Sequence, residues 1–170
     1  MRRMARSLVA LGIVLLATSN ARADDITDWN ETMLRAGLVA SSSPLVMTRN
    51  AAMVHAAIFD AVNGIDRRYT SIHVDPAGPA GASRRAAAVQ AAYAILTKLY
   101  GSGAPTPNAA QQAILDARRM VSLASIGAEE SGASINSGLT WGQLVAEAIW
   151  TWRSTDGFTV TAPADRKSVV

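Results

Sequence analysis

From Asp24 to about residue 160 the apolar positions recur every three or four residues, the period of helices that turn one face inward. Trp29, Met33, Ala36 and Ala40 share such a face, and Glu31 with Arg35 forms an i,i+4 pair on the opposite side, which predicts a first helix over 26–40. Asp24 and Asp25 precede it, as suits the positive end of a helix dipole. Ser41-Ser42-Ser43 breaks the pattern and Pro44 restarts it, because a missing N–H costs nothing in a first turn. A second helix is predicted over 44–62, stopped by Asn63-Gly64. Residues 64–82 carry glycine and proline without a sustained period and predict a surface loop. A third helix is expected over 84–100 with Ser83 as its cap, then a turn over 101–105. A fourth is expected over 107–124, carrying Ala110, Ile114, Ala117 and Val121 on one face. A fifth is expected over 129–153. In that last helix Gly138, Gly142 and Ala146 form a small-residue groove, while Trp141, Val145, Ala148 and Trp152 line another face. The prediction is an all-α bundle of about five helices, with no internal repeat and no heptad.

The first 23 residues follow another logic. They hold Arg2, Arg3, Arg6 and Arg22, no acid, an apolar run over 8–17 and then Ala21-Arg22-Ala23. That order predicts a secretory signal peptide cut after Ala23, with an uncleaved anchor as the alternative. Ten apolar residues are about half of what a bilayer span takes, so no stable membrane span is expected after cleavage. The chain is expected to be exported, periplasmic or secreted. The formal charge of +3 resides in this leader: residues 24–170 hold 12 basic and 13 acidic groups, net −1. A nucleic-acid partner is therefore not expected.

Composition narrows the chemistry. Alanine supplies 33 of the 170 residues, which favours helix, and cysteine supplies none. Disulfides, thiolate metal sites and cysteine nucleophiles are excluded, and two histidines exclude a multi-histidine metal centre.

The remaining polar residues offer few combinations. His55 and Asp60 lie five helical steps apart, so their side chains diverge and form no dyad without an outside partner. His55 reads as a core histidine bonded to an oxygen, with general base or ligand as the sharper alternative. Arg49 and Asp60 share a face three turns apart, each expected to meet a neighbouring helix. His73 and Asp75 in the loop are two ligands at most, better read as loop polarity than as a metal site. Arg67-Arg68, Arg84-Arg85 and Arg118-Arg119 each have an acid nearby and read as solvated faces, and only Lys98 and Lys167 add ammonium groups. Ser131-Gly132 and Ser137-Gly138 make no nucleophile elbow, and Gly101-Ser102-Gly103 follows a helix rather than a strand. Trp141, Trp150 and Trp152 read as core and rim of the last helix. No catalytic, cofactor-binding or metal-ligating residue is assigned.

The string Ile26-Thr27-Asp28-Trp29-Asn30, the following Pro44, and Met53-Val54-His55-Ala56-Ala57-Ile58-Phe59-Asp60-Ala61-Val62-Asn63-Gly64-Ile65 resemble the N-terminal portion of bacterial vanadium-dependent haloperoxidase-like proteins. These belong to the wider type 2 phosphatidic-acid phosphatase superfamily. The third helix reaching Leu99-Tyr100, and Arg153 with Asp156-Gly157, fit the same order, so the resemblance covers residues 24–160. It implies halide oxidation or phosphate-ester hydrolysis, with vanadate as cofactor or phosphate as substrate. The family's chemistry needs a lysine and arginine before a proline, a Pro-Ser-Gly-His element and an arginine–histidine pair, all converging on an oxyanion. None of the three occurs here, so no catalytic residue carries over and His55 falls in the family's N-terminal helix. The resemblance implies a scaffold half, inactive alone, whose partner is the missing C-terminal half and which self-associates when uncovered. Residues 161–170 are read as the start of a linker or a non-native tail, non-native from about Ala164. The competing expectation is a complete small periplasmic module that binds a partner through the Gly138/Gly142/Ala146 groove or an exposed tryptophan, without catalysis.

Overall fold

The computed structural model describes residues 24–158, and its regular structure is all-helical. The expected leader, and the expected linker or non-native tail, lie outside the described residues. Five helices follow in order: α1 (Asp25–Val39), α2 (Pro44–Asp66), α3 (Arg84–Tyr100), α4 (Ala109–Gly127) and α5 (Gly132–Ser154). None of them is long and apolar enough to cross a membrane.

Each helix starts on a side chain that accepts from the first turn: Asp24 from Ile26, Ser43 from Val46, Ser83 from Ala86, Asn108 from Gln111 and Ser131 from Ser134. Each such cap contributes about 1 kcal/mol. Two caps relocate a predicted start. Asn108 moves the beginning of α4 from 107 to Ala109, and Ser131 moves that of α5 from 129 to Gly132.

The largest departure is at the end of α2, which runs through Asn63-Gly64 to Asp66 and stops at Arg67 in the left-handed region (φ 53°). Asn63 is not a stop signal because its amide pairs with the backbone of Tyr69, accepting from its N–H (2.9 Å) and donating to its carbonyl (2.8 Å). Gly64 serves Trp141. A Cβ at Gly64 would lie 2.5 Å from the indole, and one at Gly78 would lie 3.0 Å from it. The indole fits a slot that two absent side chains leave open, and its Nε1 donates to the carbonyl of Ala61 (2.9 Å).

The core centres on α3, which touches all four other helices. Its buried positions are mostly alanine, so its neighbours approach it closely. Gly138 and Gly142 of α5 lie against α3: Cβ atoms there would fall 2.3 Å from the carbonyl oxygens of Ser83 and Ala87. The small-residue groove is therefore filled by the chain's own α3, not open to a partner. Trp141 and Val145 are buried too, and of that face only Trp152 is substantially exposed.

In α4 the stripe of Ala110, Ile114, Ala117 and Val121 turns outward. Leu115 and Ile126, fully buried, anchor the other side together with Gln111 and Ser122. Burying two large aliphatic side chains outweighs the cost of carrying a glutamine and a serine inward.

Candidate functional site

The outer face of α2 carries a second apolar stripe at helical spacing, opposite the one that enters the core: Ala52, Ala56, Phe59 and Val62. Two hollows meet on it at His55 and Phe59. One, of about 460 Å³, is closed by Ile72 of the loop and Trp152 of α5. The other, of about 360 Å³, lies between Ile26 of α1 and Tyr69, with Asp66 and Arg68 at its rim. Together they form a shallow apolar trough along one side of the molecule.

His55 lies in the middle of this trough. It is exposed, with Nε2 3.2 Å from Asn30 Oδ1, and this corrects the expectation of a core histidine. Helix α2 is apolar on most of its circumference, so its core-facing side is Met53, Val54, Ala57, Ile58 and Ala61, and position 55 is turned away. His73 stacks on Trp152 at the trough's edge, with centroids 4.5 Å apart and planes at 9°. The sequence separates the two histidines, and the fold brings both to the same face.

Asp60 is fully buried and meets backbone, not a neighbouring helix. Its carboxylate accepts from three successive N–H groups of the loop: Ile72 (2.7 Å), His73 (2.8 Å) and Val74 (2.9 Å). A buried carboxylate holding three donors is a strong anchor, and it gives Ile72 and His73 their places beside the trough. Arg49 does meet the last helix, donating to the carbonyl of Arg153 (2.7 Å) and to Asp156 (3.2 Å), with its guanidinium 4.3 Å above the Phe158 ring. The Asp156 carboxyl is held below its ordinary range, first by the N–H of Phe158 and then by the charge of Arg49. This clasp places the end of the described chain next to the trough.

The other polar groups do not converge. Asp75 accepts from Ser71 rather than meeting His73. Arg84 forks onto Asp66, Arg85 joins Asp25 and Glu129, Arg118 joins Asp28, and Lys98 joins Glu147. Arg119 donates to Gln90, and Arg67 to the carbonyl of Asp75. Ser131 is a helix cap, and Trp150 lies under Lys98. Lys167 is outside the described residues. Among the described residues no three His, Asp or Glu side chains gather as a metal set.

Such a face offers apolar contact and a few polar fixing points around His55, which is the equipment of a binding seat. Sequence reasoning missed Phe59, Tyr69 and Ile72 as members of it. Phe59 was visible as the i+4 neighbour of His55, whereas Tyr69 and Ile72 reach the face through contacts of Asn63 and Asp60 that no periodicity encodes. No family model, no curated protein and no solved structure matches the chain.

Proposed function

We propose that this chain is the exported helical scaffold of a vanadium-haloperoxidase-like or acid-phosphatase-like protein, and that the α2 trough seats its catalytic half. The observation that carries the reading is the apolar trough around His55 and Phe59. It lies on the helix whose residues bear the resemblance, beside the point where Arg49 and Asp156 hold the outgoing chain. An apolar face flanked by a clasped chain end suits a continuation that folds back onto it. The oxyanion-binding cations and histidines belong to that continuation, and the scaffold alone is inert. The competing module reading, with α3 in its groove, rests on the exposed tryptophan, Trp152.

The decisive experiment is to sequence the genomic locus onward from codon 163, past codon 170. An in-frame Pro-Ser-Gly-His element supports the scaffold reading, and an ordinary stop codon directly after Val170 overturns it. The chain itself, given vanadate, peroxide and halide, or a simple phosphate monoester, is expected to show no turnover above a heat-killed control. Export is read separately: intact mass of the secreted protein should be lower by about 2.5 kDa, the mass of residues 1–23 at ~110 Da each.

A further inference from the structure

Helix α4 displays a broad apolar stripe to water as well as hiding one. Ile114 and Val121 are 56% and 62% exposed, whereas its core side includes Gln111 and Ser122. Beside it α1 runs antiparallel, since Asp28 pairs with Arg118 and the first turn of α1 lies near Ser125 and Glu129. Leu38 and Val39 at the far end of α1 are 76% and 67% exposed. The two helices enclose an open groove of about 880 Å³ floored by Ile114, Ala117 and Val121. A helix with one apolar side in the core and a second facing water is shaped to be covered on both sides.

We propose that this groove is the interface of a symmetric homodimer, in which α1 and α4 of one copy lie on α1 and α4 of the other. The charges around the groove are already satisfied within the chain: Arg35 pairs with Glu31 and Arg118 with Asp28. A charged partner therefore finds no unpaired group to recognise there, and an apolar helical surface does. The area fits a copy of the same face. With about 150 Å² for a whole aliphatic side chain, the exposed fractions of Leu38, Val39, Ile114 and Val121, with Leu34 and Met120 at the margins, come to roughly 550 Å² per copy. A stable interface takes about 800 Å² from each partner, and Ala110, Ala117 and the stems of Arg35 and Arg118 add to the patch, which suits a dimer of modest affinity. A pair of antiparallel helices laid on its own copy about a two-fold axis makes a four-helix layer, so one patch suffices for both sides. The α2 trough is elsewhere, because α1 turns Ile26 and Asn30 toward the trough and Glu31, Arg35 and Val39 toward the groove.

The test is light scattering on the full chain during gel filtration, from about 1 to 100 µM. The expected result is a mass that rises to twice the monomer. Leu38→Glu and Ile114→Glu each shift dissociation at least about tenfold toward monomer with helix content unchanged by circular dichroism, since both positions are exposed. Phe59→Glu, on the trough, leaves the dimer intact. A wild-type monomer throughout the range overturns the proposal and is the outcome if residues 8–17 or a downstream segment fill the groove in cis. A dimer untouched by both groove variants, or one lost through Phe59→Glu, overturns it as well. Sequencing beyond codon 170 bears on the scaffold reading alone, so the two fail separately.

Discussion

Helices α3 and α4 are neighbours held by opposite means. Helix α3 is enclosed by the other four and joined to α5 through alanine and glycine, so that backbones touch where side chains are absent. Helix α4 is attached on one side by Leu115 and Ile126, then tied at its margins by polar bonds: Tyr93 to Asp116, Gln112 to Tyr93, Arg119 to Gln90, Arg118 to Asp28. Polar ties at a half-exposed margin contribute on the order of 1 kcal/mol each, whereas close packing is lost as a whole when any part of it is forced open. Small side chains thus make the firm half of this molecule, and large and charged ones make the loose half.

The largest effect is expected on the firm side, at the loop anchor. Asp60→Ala strands three loop N–H groups and should cost about 3–5 kcal/mol in chemical denaturation. Asp60→Asn, which keeps one acceptor oxygen, should cost less. A loss under 1 kcal/mol for the alanine variant would mean that the loop is not held there.

Next in size is a pair of identical changes with opposite signs. Gly142→Ala puts a methyl 2.3 Å from the Ala87 carbonyl oxygen and should cost about 2–3 kcal/mol. Gly127→Ala, at the end of α4 with nothing within 4 Å of the new atom, should be neutral or stabilise by about 0.5 kcal/mol. Equal effects at both sites would erase the distinction between the two halves. The same contrast sets amide hydrogen exchange: α4 should open at least about tenfold more readily than α3.

The smallest effect is a pH dependence of the α3–α4 tie. Burial, and then the bond donated to Asp116, raise the Tyr93 phenol above its ordinary value. Its contribution is full below the unfolded value near 10 and is lost as pH rises through the folded one. Asp116 is lowered, first by the Tyr93 hydroxyl and then by Gln112. Its contribution is present above the unfolded value near 4 and is lost as pH falls through the folded one. Tyr93→Phe should flatten the alkaline limb of melting temperature against pH and weaken the acid one. An unchanged alkaline limb would remove Tyr93 from the tie.

The five helices were legible in the sequence because periodicity and capping are local. Ser83 reads as a cap, and the period predicts 84–100 to the residue. What escaped was decided at long range. Asn63-Gly64 has the local signature of a helix end, but a tryptophan 77 residues on occupies the glycine and a loop backbone occupies the asparagine, so α2 continues. The stripe on α4 was seen while its direction was not, since periodicity finds two faces and only packing selects the inner one. Position 55 reads as core for the same reason, though the fold turns it outward. The trough was half legible: α2 supplies a stripe any helical projection shows, while Ile72, Tyr69 and Trp152 arrive by way of the fold.

Trp141 and the two glycines beneath it constrain how this sequence can vary. A side chain at position 64 collides with the indole and one at 78 crowds both it and Ile65, while any smaller residue at 141 leaves a void and gives up the bond to the Ala61 carbonyl. A change at one site is tolerated only when another compensates, as when a residue with a side chain at 64 accompanies a slimmer one at 141. Separate saturation libraries at these positions should return the starting residue almost alone, while a joint library should return new combinations. Positions 64, 78 and 141 are in effect a single heritable unit, written in three places along the chain.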